Sequence, residues 1–281
     1  MPALQPPPHF PHPVFDILHY TFFQHALLGA LLASVLCAVV GTYVVTRRLV
    51  IVGGGMAHAS LGGVGMGAYF GFSPLCGAAL FALVAGGVMR WLAGRRAVRE
   101  DSAVAMLWTA GMAVGIMFAY LAPGFMTDLP SYLFGNVLGI GGTDLWLLGC
   151  LTLVAAGLYA VARRCIEAVA CDPDFARTQG LPVRCVEYGM TALMALAVVG
   201  CLHMVGVVMV VSLLSVPQLT AGLFARSYGQ MVWLSALVGY AGCVGGLWLS
   251  YVADIPSGAS IILVSIGIYA LLRAIKSMLP R

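Results

Sequence analysis

Residues 25–71 read HALLGALLASVLCAVVGTYVVTRRLVIVGGGMAHASLGGVGMGAYFG, and this stretch decides the fold class. Two runs without Asp, Glu, Lys or Arg flank a single arginine pair, Arg47 and Arg48. A helix needs about 20 apolar residues to cross the hydrocarbon core of a bilayer. Each run has that length, so the stretch predicts two membrane-spanning helices joined by a short basic turn.

The same pattern continues to the end of the chain. Of the 281 residues, 61% are hydrophobic and only 9% are charged, whereas soluble domains carry about 25% charged residues. The composition predicts an all-α, polytopic helical bundle in the inner (plasma) membrane. The membrane domain covers 25–275, between an N-terminal tail (1–24) and a C-terminal tail (276–281). About nine spans are expected from the length of the apolar runs, at 25–46, 50–71, 74–93, 103–122, 145–162, 185–201, 204–225, 231–252 and 257–275.

The basic residues predict the orientation of the bundle. If the N-terminus lies outside and the C-terminus in the cytoplasm, all 14 Lys and Arg residues fall on the cytoplasmic face, as the positive-inside rule requires. The outer face then carries acidic residues and no basic ones, which would attract cations. The positive-inside bias alone explains the same distribution, so both interpretations stay open. The acidic residues concerned are Asp16, Asp128, Asp144 and Asp254.

The basic residues also bear on partners. They occur in short separated clusters rather than along one stripe, so no nucleic-acid partner is expected. Membrane lipid is the expected surrounding. His9, His12 and His19 are interpreted as residues of the N-terminal tail rather than as a metal shuttle.

One cytoplasmic loop, residues 171–184, carries the start and stop signals of a short helix. Asp172 suits the N-cap, Pro173 the first helical position and Gly180 the position after the last turn. The pattern predicts a helix of about two turns, too short to cross the membrane. Phe175 is apolar within an otherwise polar helix, so the segment is either a surface connector or a docking site for a soluble partner.

The second predicted span contains His58 on one helical face with Gly54, Gly62 and Gly65. An ionisable side chain at membrane depth commonly faces a cavity or a partner, and a neutral imidazole ligates transition metals. The alternative is a buried histidine without a ligand, since one histidine is not a metal site. A ladder of small residues at Gly63, Gly67 and Gly71 indicates close helix packing.

A proline interrupts the seventh predicted span. Pro217 lacks a backbone donor and is expected to kink the helix, with Ser215 and Gln218 beside it. We expect a structural kink with a secondary pore-lining role. The candidate pore-lining residues are Gly54, Gly62, Ser215, Pro217 and Gln218.

Several stretches together resemble one family, the permease subunits of zinc, manganese and iron ABC importers. The likeness extends from about residue 23 to 275 and includes FQHALLGALLASVLCAVVGTYVVTRRLVIVGGGMAHASLGG, EDSAVAMLWTAGMAVGI, SYLFGNVLGI, DPDFARTQGLPVR, VGVVMVVSLLSVPQLTAGLFARSYGQ and GLWLSYVADIPSGASIILV.

The resemblance implies an assembly of several subunits. A permease of this family works with a second permease copy or a related permease, with cytoplasmic ATP-binding subunits and with an extracytoplasmic metal-binding protein. No cofactor is bound permanently, and the transported divalent metal ion is the substrate. The resemblance also implies that the short cytoplasmic helix couples to the ATPase through Asp172, Pro173, Asp174, Phe175, Ala176, Arg177 and Gly180.

The resemblance implies that His58 is a metal ligand. In many members an aspartate precedes this histidine by four positions, and here that position is Gly54. Because a carboxylate suited to manganese is missing, the remaining imidazole favours a borderline metal such as zinc, or a looser transit site.

Two other classes of protein fit the sequence less well. A proton-coupled secondary transporter would usually carry a buried carboxylate relay, and the ten acidic residues lie at or near predicted loops and span ends. An intramembrane enzyme is disfavoured because His-Glu-x-x-His and Gly-x-Ser-x-Gly are absent. The chain also lacks the phosphate-binding Gly-x-x-x-x-Gly-Lys-Ser/Thr loop, so it is expected to be a transport subunit without its own ATPase site.

Overall fold

The structure is a computed structural model that describes residues 20–93, 100–122, 135 and 137–278. The described residues form helices and connecting turns, and no strand occurs among them. A short 3₁₀ helix lies at Val137–Gly139. The α-helices are α1 (Thr21–Thr46), α2 (Val50–Phe70), α3 (Pro74–Ala93), α4 (Glu100–Leu121), α5 (Gly142–Cys171), α6 (Pro173–Thr178), α7 (Val183–Leu213), α8 (Val216–Ala221), α9 (Tyr228–Ala253) and α10 (Ser257–Met278).

The predicted all-α membrane bundle is confirmed. Within the described ranges, eight helical stretches are long and apolar enough to cross a membrane. The remaining predicted span, α2, has 21 residues, but its glycines and His58 make it less apolar than the other eight. It packs against α3, α4 and α7, so protein rather than lipid covers much of its surface.

Helix α1 lies at the centre of the bundle, where it packs against α5, α7 and α9. Small residues line its buried faces, including Ala26, Gly29, Ala33 and Ser34. Because lipid tails are as apolar as the helices, association in a membrane relies on close packing, which small residues allow. The composition of α1 therefore suits a helix with neighbours on several sides.

Helix α2 meets α3 and α4 through contacts between backbones. A Cβ atom built on Gly63 would lie 2.0 Å from the carbonyl oxygen of Gly77, and one on Gly65 would lie 2.2 Å from that of Gly115. Gly67 is similarly close to Pro74. The predicted packing role of Gly63 and Gly67 is confirmed, whereas Gly71 ends α2 in the left-handed conformation (φ 74°).

The sixth and seventh predicted spans are separated at Gly206, four residues after the predicted split near 202. Gly206 has φ 75° and ψ 161° inside α7, a conformation that glycine adopts without steric cost. Met194 and Val211 approach the adjacent residues Gly53 and Gly54 of α2. A straight helix would separate these two side chains by about 25 Å, so the chain folds back at Gly206.

Pro217 lies in the first turn of a new helix instead of kinking an existing one, which corrects the prediction. Helix α7 ends at Leu213, and Pro217 occupies the first turn of α8. A proline costs little there, because the first amides of a helix have no carbonyl partner within it. The break therefore lies at Leu214 and Ser215.

Three charged side chains join the ends of α1, α3 and α7. Glu187 accepts a hydrogen bond from Arg47 Nη2 at 2.9 Å and also pairs with Arg90. The three side chains are 12–19% exposed. At the same end of the bundle, the Lys276 ammonium donates to the Leu223 carbonyl. Basic residues thus gather at one end as predicted, and the side of the membrane that this end faces stays a prediction.

Several predictions fall outside the described residues. These are residues 1–19 of the predicted N-terminal tail, which include His9, His12, Asp16 and His19, and the acidic residue Asp128.

Replacing Gly63 with alanine tests the backbone contact between α2 and α3. The new Cβ would overlap the main chain of Gly77, so we expect a loss of about 1–3 kcal/mol, typical of overpacking, measured as a lower thermal unfolding temperature in detergent. Gly87→Ala is the control, because a Cβ there meets no atom of the described residues within 4 Å. Equal unfolding temperatures for the two variants would contradict this role of Gly63.

Replacing Glu187 with glutamine tests the cluster with Arg47 and Arg90. Two guanidinium groups would face each other without a carboxylate, so we expect a loss of about 2 kcal/mol, as for hydrogen bonds to charged groups. Glu167→Gln is the control, because it removes the carboxylate of a more exposed ion pair. Its partner Arg163 is 56% exposed, so the loss should be less than about 1 kcal/mol. Thermal unfolding of both variants in one detergent checks the difference, and a larger loss in Glu167→Gln would refute it.

Candidate functional site

His58 lies in α2 with its ring stacked on the indole of Trp108 from α4. The ring centroids are 4.3 Å apart and the planes differ by 13°. The imidazole Nδ1 is buried and has no hydrogen-bond partner among the described residues. A buried polar atom without a partner is costly and uncommon in folded proteins. The stack fixes the ring plane, and the ring still has unused capacity to bind a proton donor or a metal ion.

Trp108 is a site residue that the sequence reasoning missed. It belongs to one of the stretches that resemble the family, yet no spacing along the chain links it to His58. Its indole Nε1 donates to Met112 Sδ at 3.0 Å, one turn further along α4. This hydrogen bond holds the indole against the helix, so Trp108 presents a fixed face to the imidazole.

Gly54 lies one turn before His58 and faces the end of α7. A Cβ atom built on Gly54 would be 3.7 Å from Val211 Cγ2, an ordinary van der Waals distance. Ser215 lies one turn after Val211, and its hydroxyl donates a hydrogen bond to the Val211 carbonyl at 2.8 Å. The structure therefore brings Gly54 and Ser215 to the same region, and packing alone does not require glycine at position 54.

The other three candidate pore-lining residues lie in contacts between helices. A Cβ atom on Gly62 would be 2.9 Å from the Gly111 carbonyl oxygen. The fully buried Gln218 donates through Nε2 to the Cys37 carbonyl at 2.7 Å, and Pro217 packs against Gly239 of α9. A pore-lining role for Gly62, Pro217 and Gln218 stays a prediction.

The described residues contain no group of three or more His, Cys, Asp or Glu side chains arranged to hold a metal ion. His58 is the ligand candidate that the sequence predicts at this site. A site of this kind resembles a contact along a route more than a closed structural metal centre, which typically has four protein ligands.

The short helix α6 forms as the sequence predicts. The Asp172 carboxylate accepts hydrogen bonds from the amides of Asp174 (3.0 Å) and Phe175 (2.9 Å). Pro173 is the first helical residue. Gly180 has φ 75°, so the chain leaves α6 in a conformation suited to glycine.

Helix α6 has a buried side and an exposed side. Ala176 is fully buried and packs in a cluster with Val169 of α5 and Val183 of α7. Phe175 is 60% exposed, while Arg177 pairs with Asp174 at 2.9 Å on the surface. Helix α6 is thus anchored to both neighbouring helices and presents one aromatic side chain outward.

A cavity of about 900 Å³ lies at the opposite end of the bundle, between α1, α9 and α10. Asp254 lines it and ends α9 in a left-handed conformation (φ 54°). Asp144 has a different role, since it accepts a hydrogen bond from the Gly141 amide at the start of α5. Of the acidic residues predicted at the outer mouth, Asp254 is the described one that lines this cavity.

These features define a class: a multi-pass membrane protein with a polar residue on a glycine-rich helix and an anchored short helix at its basic end. The comparisons with known proteins identify the family. The model of the ABC 3 transport family matches residues 19–276, and the chain belongs to this family.

Relatives and solved structures agree with that assignment. The chain is 40% identical over 248 residues to an uncharacterized membrane protein of Synechocystis, covering 88% of each chain. It is 33% identical to the manganese transport system membrane protein MntC of Halalkalibacterium halodurans, covering 92% of this chain and 88% of that one. PsaBC from Streptococcus pneumoniae, solved in complex with Fab, superposes with a TM-score of 0.84 at 27% identity, covering 92% and 93% of the two chains.

Proposed function

We propose that this chain is the membrane-spanning permease subunit of an ATP-driven importer of a divalent transition metal ion. The observation that carries the proposal is the His58 imidazole of α2, which stacks on Trp108 and whose Nδ1 has no hydrogen-bond partner among the described residues. Family membership supports it, as do relatives named for manganese transport and a probable iron transport protein of Haemophilus influenzae.

The metal ion is cargo, so its contact with the protein has to be reversible. An imidazole is a ligand that zinc and other borderline metals accept readily. With Gly54 in place of a carboxylate, this chain offers a single strong ligand, and a second permease copy facing the first would supply another. Few ligands favour release, which transport requires as much as binding.

Trp108 acts as a positioning residue in this proposal. The indole covers one face of the imidazole and so restricts rotation of the His58 side chain. A ligand nitrogen held in a constant direction needs less ordering when the metal arrives. Trp108 therefore contributes to metal contact without being a ligand.

We propose that α6 is the docking helix for a cytoplasmic ATP-binding subunit and couples ATP hydrolysis to movement of the permease. Exposed aromatic side chains are typical anchors of protein interfaces, and Phe175 is such a side chain. Because Ala176 packs against both α5 and α7, a push on α6 is transmitted to both helices. Val211 of α7 lies beside Gly54 of α2. A movement of α7 would therefore be transmitted to the helix that carries His58.

The complete importer would contain two permease copies, two ATP-binding subunits and an extracytoplasmic metal-binding protein. That protein would release its ion at the end of the bundle where Asp254 lines the cavity. The permease itself carries no ATPase site in this proposal, and a zinc, manganese or iron ion is its cargo.

Replacing His58 with alanine tests the metal route. We expect metal uptake into proteoliposomes containing the whole importer to fall on the order of tenfold or more, as losses around metal ligands do. His25→Ala is the control, because that histidine belongs to α1, lies near the Ile140 carbonyl (3.4 Å) and takes no part in the stack of His58 on Trp108. Unchanged uptake of zinc, manganese and iron in His58→Ala would remove this residue from the mechanism.

Replacing Phe175 with alanine tests docking. We expect affinity for the ATP-binding subunit to fall about 30-fold, the loss of a typical interface anchor, together with less transport per ATP hydrolysed. Phe175→Leu should retain most of the affinity, and the exposed Gln179→Ala is a surface control. If Phe175→Ala assembles and couples as the unaltered protein does, α6 is only a connector.

A further inference from the structure

A second cavity of about 1130 Å³ lies between α1, α5 and α9, near the basic end of the bundle. It has no part in the metal route, because it lies on the side of α1 lined by α5 and α9 and contains neither α2 nor α4. We call it the α5–α9 groove. It exposes part of α1, the central helix, at Val35 and Val39.

The mouth of the groove is polar and basic. Arg163 of α5 and Arg226, just before α9, lie there with Ser227 and Gln230. Glu167 accepts a hydrogen bond from Arg163 Nε at 2.7 Å and so directs the guanidinium. The Arg163 side chain extends from α5 to the start of α9, where a Cβ atom built on Gly229 would be 2.7 Å from Arg163 Nη2. Arg226 makes no ion pair within the described part of the chain.

The deeper part of the groove is apolar. Val35 and Val39 of α1 line it together with Val232, Ala236 and Leu237 of α9. From the start of α9 to Leu237 the helix rises about 15 Å, half of the thickness of a bilayer core. The groove therefore changes from cationic to apolar along the direction in which a lipid molecule lies.

We propose that the α5–α9 groove binds one anionic phospholipid, with its phosphate between Arg163 and Arg226 and an acyl chain along α1. The polar mouth and apolar depth match both parts of this molecule. A soluble anion would contact only the mouth, and water does not fill apolar space of this kind. Anionic headgroups are drawn to basic residues at the cytoplasmic membrane surface, which is where the predicted orientation places this end.

Trp233 supports the placement of the mouth at the membrane boundary. It lines the groove close to the start of α9 and is 71% exposed. Tryptophan is enriched where hydrocarbon meets the headgroup layer. An indole at this level and two guanidinium groups beside it are the surroundings that a phospholipid headgroup meets at an interface.

Native mass spectrometry of the full-length chain, purified in detergent and stripped of lipid, tests the proposal. Dioleoyl phosphatidylglycerol is titrated against dioleoyl phosphatidylcholine, which has the same acyl chains and no net charge. We expect a tighter site for phosphatidylglycerol. In Arg163→Gln/Arg226→Gln its apparent Kd should rise on the order of tenfold, as expected for removing two basic residues near the headgroup.

Matched variants distinguish binding in the α5–α9 groove from non-specific attraction of anionic lipid to a basic protein. Arg164→Gln/Arg184→Gln removes the same charge from exposed positions that do not line the groove, and it should leave the Kd within about twofold, as expected for solvent-exposed charges. Ala236→Phe fills the apolar depth and should weaken binding without changing charge. Ala160→Phe, on an exposed position of α5 outside the groove, is its control.

Three results would each overturn the proposal. The first is equal Kd values for the two arginine pairs. The second is unchanged binding in Ala236→Phe, and the third is displacement of the bound lipid by millimolar glycerol 3-phosphate, which would assign the mouth to a soluble phosphate. The lipid-binding experiment uses neither metal nor ATP. A negative result would therefore refute the lipid site without bearing on the proposed transport function.

Discussion

The close approach of α2 to α3 and α4 is the constraint on which the candidate metal route depends. Helices in a membrane gain little from hiding apolar surface from water, so their association relies on contact between closely fitting surfaces. Gly63 and Gly65 allow the backbones of α2 and its neighbours to touch. That contact brings α4 beside His58 and lets Trp108 cover the imidazole. The glycines are therefore the reason that a lone histidine has a fixed direction.

Helix α7 connects the two regions that the proposed function needs. At its beginning it packs on α6 and carries Glu187, which holds the ends of α1 and α3 through Arg47 and Arg90. After the fold-back at Gly206, its final turn faces Gly54. A displacement of α6 therefore reaches an element that contacts α2. Gly135 packs on the fold-back itself, because a Cβ atom built there would overlap the main chain of Val205 and Gly206.

Local signals were predicted well because their causes are local. The cap at Asp172, the start of α6 at Pro173 and its end near Gly180 follow from hydrogen bonds and backbone angles within a few residues. The sequence locates a break around Pro217 but does not decide its form, since proline in a first turn and proline in a helix interior look alike in sequence. The sequence does not mark Gly206 as the fold-back point, because glycines are frequent throughout the chain and their φ angles depend on tertiary contacts.

The sequence by itself determined the class of the molecule. Uncharged runs of spanning length, basic residues between them and one capped short helix are properties of single segments, and lipid leaves such segments few structures other than helices. Only the tertiary structure decided which residues meet. The stack of Trp108 on His58, the grouping of Glu187 with two arginines and the opening between α5 and α9 join residues far apart in the chain. Their positions depend on how side chains and backbones fit between helices, a property that no single segment contains.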